Sequence, residues 1–262
     1  MGNQLKHPAG NFCWFELGTT DQNAAKEFYG KLFGWQSVDT PLPPEMGGVY
    51  TMFTLGGKEV GACYTLGPQM AGVPPHWMPY VAVDSADDIA AKVAELGGEV
   101  LMPAFDVMTH GRMTAFKDPT GAALSVWQSK EHTGADLVNA IGSACWGELA
   151  TRDTAKAKAF YTGLFGWTTK DSDVMTYTEW SNGGQPIGGM LPQDGPQWES
   201  VPPHWLTYFA VEDADATAAQ TAALGGKTIM PPTDIPNTGR FAVLADPQGA
   251  AFAVIKLTMP MS

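Results

Sequence analysis

The chain states one pattern twice. Trp14–Phe15–Glu16–Leu17, Phe28–Tyr29 and Leu32–Phe33–Gly34–Trp35 return 132 residues later as Trp146–Gly147–Glu148–Leu149, Phe160–Tyr161 and Leu164–Phe165–Gly166–Trp167. Pro74–Pro75–His76–Trp77, Leu96–Gly97–Gly98, Gly111–Arg112 and Asp118–Pro119 return 128 residues later as Pro202–Pro203–His204–Trp205, Leu224–Gly225–Gly226, Gly239–Arg240 and Asp246–Pro247. A period this long marks duplicated domains rather than a solenoid. The 262 residues are therefore read as two homologous halves, 8–129 and 142–258, joined by 130–141.

Each half divides again. Residues 12–17 read as a strand running toward Asp21, which can cap a helix whose apolar positions Ala25, Phe28, Tyr29, Leu32 and Phe33 follow helical spacing. Gly34 supplies a left-handed stop, and strand-like runs follow near 35–39, 49–55 and 59–66. The pattern restarts at Trp77: Asp84 or Ser85 can cap a helix carrying Ile89, Val93 and Leu96, followed by strands near 99–102, 112–117 and 122–128. The second half repeats both units, with helices expected at 153–165 and 213–224. Four strand–helix–three-strand modules result.

Composition narrows the function. A formal charge of −12 disfavours nucleic acid and anionic membranes, which are held by clustered Lys and Arg. No run of about 18 apolar residues is present to span a bilayer, and the N-terminal stretch lacks the basic and apolar regions of a secretory signal. Gly2 invites a lipidation reading, but Lys6 stands where Ser or Thr is needed. Three cysteines without a CxxC pattern, Cys13, Cys63 and Cys145, suggest reduced thiols and a cytoplasmic setting.

Tandem βαβββ modules, each pair ending in Asp-Pro-x-Gly before a final strand, resemble the vicinal oxygen chelate superfamily. That group includes glyoxalase I, extradiol dioxygenases and bleomycin-resistance proteins. The likeness rests on Asp21, Phe28–Tyr29, Leu32–Phe33–Gly34–Trp35, Asp84, Leu96–Gly97–Gly98 and Asp118–Pro119–Thr120–Gly121 with their second-half partners. It implies an α+β fold in which paired modules form open β-sheet cups with the ligand inside. Four modules in one chain make a monomer plausible and leave a dimer open. The pairing, first module with second or first with fourth, is also left open.

Enzymes of that family typically hold a divalent ion in the cup. His or Gln comes from seven residues before the Asp that opens a module's helix, and Glu from seven after the Asp of Asp-Pro-x-Gly. Carried over, those positions are Trp14, Trp77 and Ser125, then Trp146, Trp205 and Ala253. Indole nitrogen only donates, and alanine offers no ligand atom. The expectation is a small-molecule site without the usual metal or other cofactor.

Side chains alternate across a strand, so Glu16 should share the inner face with Trp14, and Glu148 with Trp146. Trp77 and Trp205 are expected to join them, with Tyr50, Met52 and the loop residue His110 as further ligand contacts. The leading reading is binding of an aromatic or amphipathic molecule in aromatic-lined cups. The alternative is a lyase or isomerase using Glu16 and Glu148 as bases, or a noncanonical metal. His76 and His204 are expected to turn outward, because each precedes an inward Trp. A register slip of one would bring both inside as metal ligands.

Overall fold

The computed structural model describes residues 7–43, 47–173 and 175–258, so Gly2 and Lys6 lie outside the described residues. Four modules run in order. The first comprises β1 (Phe12–Thr19), α1 (Gln22–Phe33), β2 (Gln36–Pro41), β3 (Val49–Leu55) and β4 (Lys58–Thr65). The second comprises β5 (His76–Ala82), α2 (Ala86–Glu95), β6 (Glu99–Val107), β7 (Gly111–Lys117) and β8 (Ala123–Ser129). The third has β9 (Ala144–Thr151), α3 (Thr154–Phe165), β10 (Thr168–Asp171), β11 (Thr178–Asn182) and β12 (Gln185–Pro192). The fourth has β13 (His204–Ala210), α4 (Ala214–Ala223), β14 (Lys227–Ile235), β15 (Gly239–Ala245) and β16 (Ala251–Leu257).

The strands form two open eight-stranded mixed sheets, ordered β2-β3-β4-β1-β5-β8-β7-β6 and β10-β11-β12-β9-β13-β16-β15-β14. In every module the first strand runs parallel to the last, and hairpins supply the antiparallel pairs. This is the α+β architecture the repeats imply. Among the described residues, no helix is long and apolar enough to cross a membrane.

Short polar side chains start the helices by accepting orphan N–H groups. Asp21 accepts from Ala24 N at 3.0 Å, Ser85 from Asp88 N at 3.1 Å, Asp153 from Lys156 N at 2.9 Å and Asp213 from Ala216 N at 2.9 Å. Gly34 ends α1 in the left-handed region at φ 73°. At the start of α1, the Gln22 amide donates to Thr51 Oγ1 at 2.6 Å and to the Cys63 carbonyl at 3.1 Å, which ties the helix to β3 and β4.

Packing divides the chain into two compact units that do not follow the two halves. One contains residues up to 14, 79–134 and 146–206; the other contains 15–78, 135–145 and 207 onward. In the first unit, Val81, Phe116, Leu124 and Val126 pack with Phe160, Tyr161, Trp167 and Trp205 in one buried cluster. Its centre is a relay: Trp205 Nε1 donates to Tyr161 Oη at 2.8 Å, and Tyr161 donates to Asp118 Oδ2 at 2.9 Å. The second unit repeats it, with Trp77 Nε1 donating to Tyr29 Oη at 2.9 Å and Tyr29 donating to Asp246 Oδ2 at 3.1 Å. The Asp-Pro turns thus also pin an aromatic helix residue of another module.

All three cysteines are buried and unpaired. Burial raises the Cys13 thiol far above its ordinary range and pushes Cys63 and Cys145 up to about 12. Thiolate is scarce in all three, so none is a reactive nucleophile.

Candidate functional site

In the unit built on 15–78, the inner face, away from the helix, is set by strand register. Glu16 lies opposite Ala62, Met52 opposite Ala62, and Tyr50 opposite Tyr64. Directly opposed residues share a face, so Glu16, Tyr50, Met52 and Tyr64 project together. On the other side of β3, Phe53 packs on Tyr29 and Trp35 of the aromatic core. Tyr50 donates to Glu16 Oε1 at 2.6 Å, a short charge-assisted bond. Burial and the Glu16 charge raise Tyr64 well above the ordinary phenol range, which keeps it an O–H donor.

The other unit carries two inner faces. On β6, β7 and β8, Phe105 lies opposite Met113, Met113 opposite Trp127, and Met102 opposite Ala115, which faces Ser125. Tyr80 pairs with Ser125. Met113 and Trp127 are buried, whereas Met102 and Phe105 remain 40% and 37% exposed. His132 stands between two indoles, edge-on to Trp14 at 4.7 Å and to Trp127 at 5.9 Å. A Cβ at Gly111 would run into the Trp127 ring, so the Gly of the repeated Gly-Arg pair makes room for that indole.

On β9 and its neighbours, Trp146 Nε1 donates to Tyr177 Oη at 2.9 Å, and Tyr177 donates to Glu148 Oε2 at 3.1 Å. Burial first, then the Glu148 charge, pushes the Tyr177 phenol far up, so the chain indole–phenol–carboxylate keeps its protons in place. Glu148, at 9% exposed, is more buried than Glu16.

Sequence placed Trp77 and Trp205 on the inner faces; the structure turns both into the cores. Trp77 packs edge-on against Tyr29 at 5.3 Å, and Trp205 against Tyr161 at 5.3 Å. The reason is the position of the cap. Counting back seven from Asp84 selects Trp77, but the residue that caps α2 is Ser85, and the residue that caps α4 is Asp213. The inner-facing residues of β5 and β13 therefore begin with His76 and His204, which the sequence turned outward. Each imidazole bonds through Nδ1 to a Pro-Pro carbonyl, His76 to Pro74 and His204 to Pro202, both at 2.9 Å. A carbonyl only accepts, so Nδ1 carries the proton and Nε2 is the acceptor of the neutral ring. Burial lowers the His204 pKa.

His110 is exposed in the turn between β6 and β7, where its carbonyl accepts from Lys130 N and His132 N. Arg112 forms bonds to Asp87 and Asp106, and Arg240 to Asp215 and Asp234, a structural role rather than an anion site. Tyr64, Trp127, His132 and Tyr177 were not singled out by sequence reasoning. Period-two alternation from Tyr50 reaches only its own strand, and His132 lies in the connector with no repeat equivalent.

A divalent ion at the position used by the resembled family finds Trp14 and Ser125 in one half and Trp146 and Ala253 in the other. Ser125 is 2% exposed and Ala253 fully buried. Among the described residues, no three His, Cys, Asp or Glu side chains converge as a ligand set. The residues do not fit the ion there.

A tandem βαβββ fold with its polar groups on the inner faces defines a class that comparison with known proteins identifies. The family model described as Glyoxalase/Bleomycin resistance protein/Dioxygenase superfamily matches residues 11–126 and 140–254. The chain belongs to that superfamily. It is 46% identical over 260 residues to CFP32 of Mycobacterium tuberculosis, whose name carries a provisional glyoxylase assignment, covering 98% of each chain. It is 38% identical over 259 residues to the anthracycline biosynthesis protein DnrV of Streptomyces peucetius, covering 94% of this chain and 92% of that one. Among solved structures it resembles the Mn(II)-bound glyoxalase of Novosphingobium aromaticivorans, with TM-score 0.65 and 16% identity over 98% of this chain and 87% of that one. It also resembles the 2,3-dioxygenase LapB of Pseudomonas sp. KL28, with TM-score 0.64 and 13% identity over 98% and 96%. These two likenesses concern the fold alone.

Proposed function

We propose that the protein binds a flat aromatic or amphipathic small molecule on the inner faces of its sheets, in the cytoplasm, without a nucleic-acid partner. The observation that carries this is the β6–β8 face. Two large apolar side chains, Met102 and Phe105, stay exposed in register with buried Met113 and Trp127. An exposed Met and aromatic surface beside indoles is adaptable and suits a planar ligand. A relative named for anthracycline biosynthesis fits the same ligand class.

Titration with a planar aromatic such as quinizarin should quench tryptophan emission. Phe105→Ala should weaken binding roughly tenfold, the worth of covering one aromatic side chain. No quenching, or an unchanged affinity in Phe105→Ala, would count against the proposal.

A second reading, a lyase or isomerase that moves a proton at Glu16, is favoured by the short bond from Tyr50, which orients the carboxylate. In that case Glu16→Gln loses turnover roughly 100-fold or more with binding retained. Equal turnover in the variant would dismiss it. Glu148, held in the Trp146–Tyr177 chain, is the second-half candidate for the same role.

A further inference from the structure

On the helix side of the second and third modules, α2 and α3 flank a groove of about 310 Å3. That volume is at the low end for small-molecule sites. Its lining is Leu96, Gly97, Pro119, Lys156, Ala159 and Phe160. Phe160 forms the floor, 2% exposed and packed on Phe116 at 5.9 Å. The space beside Gly97 is open, since a Cβ placed there would meet nothing within 4 Å. Lys92 Nζ donates to the Leu164 carbonyl at 3.4 Å, which holds α2 against α3.

The groove follows from small residues on one face of α3. Lys156, Ala159, Phe160 and Gly163 share that face by helical spacing. Gly163 lets Leu96 approach, because a Cβ there would crowd Leu96 Cδ2 at 3.2 Å. In α1 the equivalent positions hold Ala24, Glu27, Phe28 and Lys31, and Glu27 and Lys31 pair with each other at 2.5 Å. Both copies keep the phenylalanine, but only α3 sets small residues beside it and an ammonium at one end. Lys158 is held by Asp171 at 2.8 Å, whereas among the described residues no ion pair engages exposed Lys156.

On a chain of formal charge −12 an anion is repelled at long range, so its binding needs a local cation. Lys156 supplies one beside the apolar surface of Leu96, Pro119 and Phe160. We propose that this groove binds a small amphipathic carboxylate, such as a medium-chain fatty acid. Its tail lies over Phe160, and its carboxylate accepts from Lys156 Nζ. The site is separate from the aromatic ligand face on β6–β8.

Titration calorimetry on the full chain compares octanoate with octanol. The expected result is octanoate binding about fivefold tighter, the worth of one ion pair at a partly exposed site. Lys156→Gln should erase the difference and leave octanol affinity unchanged, which also shows that the variant folds. Ala159→Trp, at an exposed helix position, should fill the groove and weaken both compounds at least about tenfold, with an unchanged unfolding temperature. Phe105→Ala should leave both affinities as they are. Absence of octanoate binding, equal wild-type affinities, or a difference that survives Lys156→Gln would each overturn the proposal. Octanoate binding that is lost in Phe105→Ala and kept in Ala159→Trp would place the compound on the inner face instead, and would overturn it too.

Discussion

Asp118→Ala is expected to destabilise the protein by about 3–5 kcal/mol, because it strands several buried donors at once. Asp118 is 3% exposed. Its Oδ1 accepts from Thr120 N at 2.7 Å, Gly121 N at 2.9 Å and Ala122 N at 3.1 Å, and its Oδ2 accepts from Tyr161. Urea unfolding measures the loss, and a change under about 1 kcal/mol would show that water replaces these bonds.

The twin, Asp246, adds a pH signature. Burial raises its pKa above the ordinary carboxylate value, with hydrogen bonds from Ala250 and Tyr29 acting in opposition. The folded state therefore holds this proton more tightly than the unfolded chain. The associated stability is complete below the unfolded pKa and is lost as pH rises through the folded one. Asp39, Asp87, Asp106, Asp171 and Asp215 run the other way: hydrogen bonds from Thr51 and Lys26, from the arginines, or from Lys130 and Lys158 hold them below their usual range. Their contribution disappears as pH falls below about 3.8 through the folded values. Asp246→Asn should flatten the upper window and leave the acid limb in place.

Trp205→Ala should cost about 3–5 kcal/mol by opening a cavity in the core. The indole is 5% exposed and packs against Tyr161, Trp167 and, at 5.5 Å, Phe12. Calorimetric unfolding should show the loss, and affinity for a planar aromatic should be kept in the folded fraction at low temperature. Unchanged stability with lost affinity would put this indole back on the inner face.

These two sites show where the sequence was readable. The duplication, the four helices with their polar caps, and the inward placement of Glu16 and Tyr50 follow from spacing and alternation over single elements. Trp77 and Trp205 were misplaced because the count began from Asp84 and its repeat position, whereas Ser85 and Asp213 cap the helices. In a strand, one residue of error reverses every side chain, and it moved both histidines with the tryptophans. The Tyr161–Asp118 and Tyr29–Asp246 bonds were illegible for a different reason. Each joins residues at least 43 positions apart, and no local pattern encodes such a partner.

Each compact unit takes one module from either half of the chain. Neither half is thus a self-sufficient folding body, although each resembles one in sequence. Splitting the gene at its midpoint would give two fragments that each lack the partners for an aromatic cluster. The duplicated copies have consequently been bound to a shared fate: either can drift at single strand positions, as Gly18 and its repeat equivalent Ala150 have, but neither can be shed.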